Sequence, residues 1–152
     1  MKEEGKHRGL VKIAPDLVKV REHITKAEHN LKLMVSLKDT EFSDWCGSAA
    51  FYAMYHSLLA ILAKFGYESG NQECTFALVA SLVEDGAIGV DTGLLESVAK
   101  IDPKKQTGRE TMTELREQYQ YGTKLSMEDK TYEELLDTVK RLLGESKRII
   151  EE

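Results

Sequence analysis

Histidine is the side chain best suited to proton transfer near neutral pH and a common transition-metal ligand. The chain has four: His7, His23, His29 and His56. No two stand three or four residues apart, the spacing that lets two side chains of one helix share an ion. Glu22-His23 and Glu28-His29 are adjacent pairs, so their side chains point to different sides of a helix. No metal site and no resident cofactor is expected. His56 falls in an apolar row with Tyr52 and Leu59, and a buried imidazole needs hydrogen-bond partners. Hydroxyls from Tyr52 and Tyr55 are close in sequence, so the expectation is a small polar network of Tyr52, Tyr55 and His56 in the core.

Anion binding is the second chemistry on offer. Lys104, Lys105 and Arg109, with Arg116 two turns on, gather positive charge where a helix is expected to begin, and free N–H groups there favour phosphate. Tyr119 and Tyr121 offer ring faces to a base. These six residues are the expected nucleotide or phosphate contacts; the alternative is a solvated charged loop with Tyr119 in the core. The Walker loop, Gly-x-Gly-x-x-Gly and Gly-x-Ser-x-Gly are all absent from the sequence. Cys46 and Cys74 have neither the close pairing of a zinc site nor the density of a disulfide scaffold, and read as two inert core thiols, with a bridge left open.

The elements that must position these residues follow from composition and spacing. A chain of 152 residues, 41% hydrophobic and 31% charged, suits one domain with a real core. The net charge of −5 speaks against charge-driven nucleic-acid binding, which rests on Lys and Arg neutralising phosphates. Residues 1–40 hold 9 Lys/Arg and 6 Asp/Glu, residues 41–100 hold 2 and 8, and residues 101–152 hold 10 and 12. Any anion site must therefore draw on the ends. No uninterrupted run of about 18 apolar residues occurs, and Met1 to Gly9 is charged, unlike a signal peptide, so a cytoplasmic protein without a membrane partner is expected.

Residues 1–15 read as a charged, mobile arm ending at Pro15-Asp16. Leu17, Val20, Ile24, Ala27, Leu31 and Met34 then recur in steps of three and four, which predicts an amphipathic helix. Off that row, Leu33 and Leu37 form a second apolar strip. A second helix is predicted from near Glu41, with Phe42, Trp45, Ala49, Tyr52, His56, Leu59 and Ala63 on one side. Cys46, Ala50, Met54, Leu58, Ile61 and Phe65 line the other, which marks a central helix with Trp45, Tyr52, Met54, Leu58 and Leu62 buried. Gly66 and the polar stretch Glu68 to Gln72 stop it. A third helix carries Phe76, Val79, Ala80 and Val83 and stops at Asp85-Gly86. A fourth piece runs from about Asp91 to Ile101, before Pro103. Arg109 to Gln120 reads as a fifth helix, interrupted by Gly122, and after a Ser126-x-x-Asp129 cap the last presents Tyr132, Leu135, Val139, Leu142, Ser146 and Ile149. Strand signals and internal repeats are lacking. The predicted fold is all-α, an antiparallel four- to five-helix up-and-down bundle over residues 16–152.

One run is distinctive: WCGSAAFYAMYHSLLAIL, from Trp45 to Leu62. It resembles the second helix of the HEPN family, where an Ala-Tyr-Tyr-Ala-Met-like core precedes Tyr or Phe and then His. The segment LREQYQYG, from Leu115 to Gly122, is similar to the family's Leu-Arg-…-Asp-Tyr-Gly, with Gln120 where Asp is usual. The resemblance covers roughly residues 16–150 and implies a helical bundle, frequent homodimerisation and frequent work beside a small nucleotidyltransferase. It also implies that some members cleave RNA with an Arg followed within about half a dozen residues by a His, set where two protomers meet. In this chain no histidine follows Arg109 or Arg116, and Arg21 and His23 are too closely spaced. The expected function is a non-catalytic HEPN-like module that dimerises and binds a nucleotide, RNA or a protein partner such as a nucleotidyltransferase. An RNA-cleaving enzyme of toxin–antitoxin type is the alternative.

Overall fold

A computed structural model describes residues 10–12, 14–69, 72–90, 93, 95–96 and 128–151. Its elements are β1 (Leu10–Lys12), α1 (Leu17–Leu37), α2 (Cys46–Lys64), β2 (Tyr67–Ser69), α3 (Gln72–Glu84) and α4 (Asp129–Glu151). The architecture is all-α, with helices dominating and one small ribbon among the described residues.

Helix α1 starts where Asp16 accepts hydrogen bonds from the Val18 and Lys19 backbone N–H groups at 2.9 and 3.2 Å. Such a cap satisfies donors that the first helical turn leaves unpaired. Its row is buried at Val20, Ala27 and Met34, while Leu17, at the open end, is exposed. The connection to α2 consumes the predicted helix start at Glu41. Asp39 adopts a left-handed φ of 65°, and Thr40 bonds both the Leu37 carbonyl and the Phe42 N–H. A 3-10 turn over Ser43–Trp45 then leads into Cys46.

The direction of each helix follows from its contacts. Cys46 at the start of α2 donates its thiol to the Met34 carbonyl near the end of α1, and Ala60 and Ala63 near the end of α2 pack on Val20. These two helices are therefore antiparallel. Helix α4 starts beside Lys38, which pairs with Asp129 at 3.5 Å, and ends where the Lys64 ammonium donates to the Ile149 carbonyl. It runs parallel to α2 and antiparallel to α1. All six residues of its predicted row are buried, with Leu143 beside them.

Between these two helices and α3, α2 forms the axis of the core, with Phe51, Met54, Leu58, Ile61 and Leu62 fully enclosed. With its leading turn it is long and apolar enough to cross a membrane by length and composition, yet 72% of that window is buried inside the molecule, as suits a central helix. Trp45 and Tyr52 depart from expectation: they are 50% and 42% exposed. Tyr52 lies in the N-terminal half of α2 and Trp45 in the 3-10 turn that leads into it, and the described elements leave both half open. Spacing placed them on an apolar row, but only a facing element buries a row.

Gly66 and Gly86 end α2 and α3 with φ of 87° and 76°, the left-handed conformation glycine adopts without strain. In α3, Val79 is buried and Phe76 and Val83 are partly so, whereas Ala80 faces solvent. Past Gly66 the chain extends as β2 and pairs antiparallel with β1, Val11 opposite Glu68. Residues 10–12, expected in a mobile arm, are thereby tied to the α2–α3 connection. The predicted helix at 109–120, its flanking Pro103 and Gly122, and the Ser126 cap lie outside the described residues, as does most of the 91–101 piece.

Candidate functional site

His23 stands three residues after Val20 and four before Ala27, and so faces inward from α1. His56 lies on the side of α2 that meets it. The two rings come together head to head: the Nδ1 atoms are 3.1 Å apart, the ring centroids 5.3 Å, and the planes are inclined by 28°. A hydrogen bond between two such nitrogens needs one ring to donate and the other to accept, so the pair holds one proton between its δ nitrogens.

Both rings are held neutral. His56 is pushed down to about 4, first by burial and then by His23 and Lys26. His23 is also lowered, by burial and Lys19, against the opposing pull of Glu22 and Glu68. A neutral imidazole keeps a lone pair for a proton or a metal, since burial in a medium of low polarity disfavours the cation. Beyond His23 lies a cavity of about 120 Å³ lined by Lys19, His23, Leu59, Ala63, Tyr67, Glu68 and Ser69. Lys19 and Glu68 pair across its mouth at 3.3 Å.

The expected Tyr52–Tyr55–His56 network takes a different form. Tyr55 is buried and touches His56 edge-on with its ring, while its hydroxyl lies 3.4 Å from that of Thr75, which donates to Ser69 at 2.8 Å. Tyr52 points outward, its ring edge against Phe51. The partner of His56 is His23, 33 residues away and on another helix. The sequence signal for it was the placement of His23 between Val20 and Ala27 on the buried face.

Arg21 lies roughly 200° around α1 from His23. It borders a groove against α4 formed by Val20, Ile24, Lys147 and Ile150. Arginine and histidine of α1 thus serve opposite faces. No disulfide joins Cys46 and Cys74, and burial, followed by Asp44, raises the Cys46 thiol to about 11, which suits an inert thiol. Among the described residues no three of His, Cys, Asp and Glu converge as a metal cluster. Lys104, Lys105, Arg109, Arg116, Tyr119 and Tyr121 lie outside the described residues.

A second feature is an exposed aromatic row. His56, Tyr52 and Trp45 follow one another at steps of four and seven, the first two on α2 and Trp45 in the 3-10 turn before it. The row His23, Asn30, Leu37 runs beside it in the opposite sense along α1. Phe42, whose carbonyl accepts from the Trp45 N–H at 3.0 Å, is 55% exposed, and Leu33 on α1 is 44% exposed. Leu37 of the expected second strip packs partly against the core, so Leu33 alone of that strip stays open.

Compared with known proteins, the chain matches the family model described as HEPN domain over residues 20–149. A search of curated proteins found no match.

Proposed function

The chain belongs to the HEPN family, and from that premise we propose that it is a non-catalytic member that pairs with a second copy of itself and binds a nucleotide or a protein partner, such as a small nucleotidyltransferase. The exposed row Phe42, Trp45 and Tyr52 carries this reading. Large aromatic side chains left half open on the central helix and on the turn that leads into it are what protein interfaces are built around. Self-association through α1 and α2 covers this row and Leu33 together. Lys104, Lys105, Arg109 and Arg116, with Tyr119 and Tyr121, are the proposed phosphate and base contacts.

Sedimentation at micromolar concentration tests the pairing. The wild type is expected to be a dimer. Replacing Trp45 and Tyr52 together by serine should weaken it at least about 30-fold, the effect of losing one interface residue worth about 2 kcal/mol, with helical content unchanged. A wild-type monomer sinks this part of the proposal.

The non-catalytic part rests on His56. The imidazole at the family's second-helix position turns its δ nitrogen to His23, and Arg21 faces away from both. Cleavage requires a base near the attacking 2′-hydroxyl and a donor for the leaving oxygen. Single-stranded RNA incubated with metal-free protein should therefore stay intact. RNA cleavage by the wild type that disappears in His56→Ala would establish the ribonuclease reading in its place.

A further inference from the structure

We propose that His23 and His56 together form a binding site for a late first-row divalent transition metal such as Zn²⁺, Ni²⁺ or Cu²⁺. Two imidazole nitrogens on one ion, with metal–nitrogen bonds of about 2.0–2.1 Å and an angle between about 90° and 109°, lie about 2.8–3.4 Å apart. The two Nδ1 atoms stand at 3.1 Å, already at that bite. In the metal-free geometry the Nδ1–H of one ring points at the Nδ1 lone pair of the other. Coordination puts both ring protons on Nε2 and turns the rings toward a common point, which closes the centroids from 5.3 Å to about 4.8 Å. The cavity on the far side of His23 leaves space for the trailing edge of that ring as it turns.

The surroundings set the strength of the site. Glu22 and Glu68 face His23 with negative charge, while Lys19 and Lys26 face the pair with positive charge. The charges balance, so the neutral imidazoles carry the binding, and water completes the coordination. Imidazole donors favour Zn, Ni and Cu, with Cu²⁺ above Ni²⁺, whereas Mg²⁺ and Ca²⁺ need oxygen ligands. A one-helix spacing rule does not detect such a site, because its ligands come from two antiparallel helices.

Calorimetric titration of the untagged full chain at pH 7.5 with NiCl₂, ZnCl₂ and MgCl₂ tests the proposal. One saturable micromolar site per chain is expected for nickel and zinc, and none for magnesium. His23→Gln and His56→Gln should each weaken nickel binding at least about tenfold, the scale of losing a metal-site contact. His29→Gln, exposed on α1, should leave it unchanged. Since the core variants can perturb folding, Ni²⁺ is also added to the wild type and the imidazole proton resonances followed. Selective broadening of His23 and His56 supports the site. Broadening confined to other histidines, or no saturable binding up to millimolar metal, overturns it.

Discussion

Truncating Leu58 to alanine is expected to lower the free energy of unfolding by about 2–5 kcal/mol, measured by urea denaturation with an unchanged slope. Leu58 is fully buried in the middle of α2, in a core shared with Phe51, Met54, Val79, Val139 and Leu142. Removing its branched end forfeits the transfer of those carbons out of water. It also leaves a void that helices packed on several sides cannot collapse to fill, because each is held by its own row. A domain of this size is stable by only about 5–15 kcal/mol, so one such change removes a large share. The control is Val18→Ala, at an exposed position in the first turn of α1, which should stay within about 0.5 kcal/mol. A comparably small effect at Leu58 would mean that α2 does not occupy the centre.

Acid is expected to weaken the fold through the histidine pair before most carboxylates respond. His56 is held at about 4, against 6.5 when free, and His23 is shifted in the same direction. The unfolded chain therefore binds protons that the folded chain refuses, and stability rises with pH wherever that difference exists. The contribution is complete above about 6.5 and is lost progressively as pH falls from 6.5 toward 4. For His56 the loss should be about 1–2 kcal/mol, roughly half of what the full displacement implies, because the ring still meets solvent. Denaturation midpoints of the wild type and of a His23→Asn, His56→Asn double variant, compared from pH 7.5 to 4.5, isolate this effect from ordinary carboxylate titration. Parallel pH profiles for the two proteins would show that the imidazoles are not held neutral.

How much of this was legible in the residues differs from helix to helix. In α4 the row from Tyr132 to Ile149 separates apolar from charged positions so cleanly that every member is buried as expected. Gly66 and Gly86 marked two helix ends correctly, since few other residues adopt their backbone conformation without strain. Helix α2 is apolar on all sides, which identified it as central but removed any contrast by which spacing tells a covered side from an open one. Spacing alone therefore puts Trp45 and Tyr52 inside. The β1–β2 ribbon joins three residues of a charged arm to three in a connection, too short to carry an alternating pattern.

Local periodicity thus determined the all-α class, the helix axes and most of the core, because the 3.6-residue turn decides which side chains share a face wherever the chain lies. The tertiary structure alone decided which of those faces is covered, and so left the aromatic row open. It also brought His23 to His56. Their bond depends on the crossing of two antiparallel helices and on the depth at which α1 seats against α2, a long-range register that the spacing within either helix does not encode.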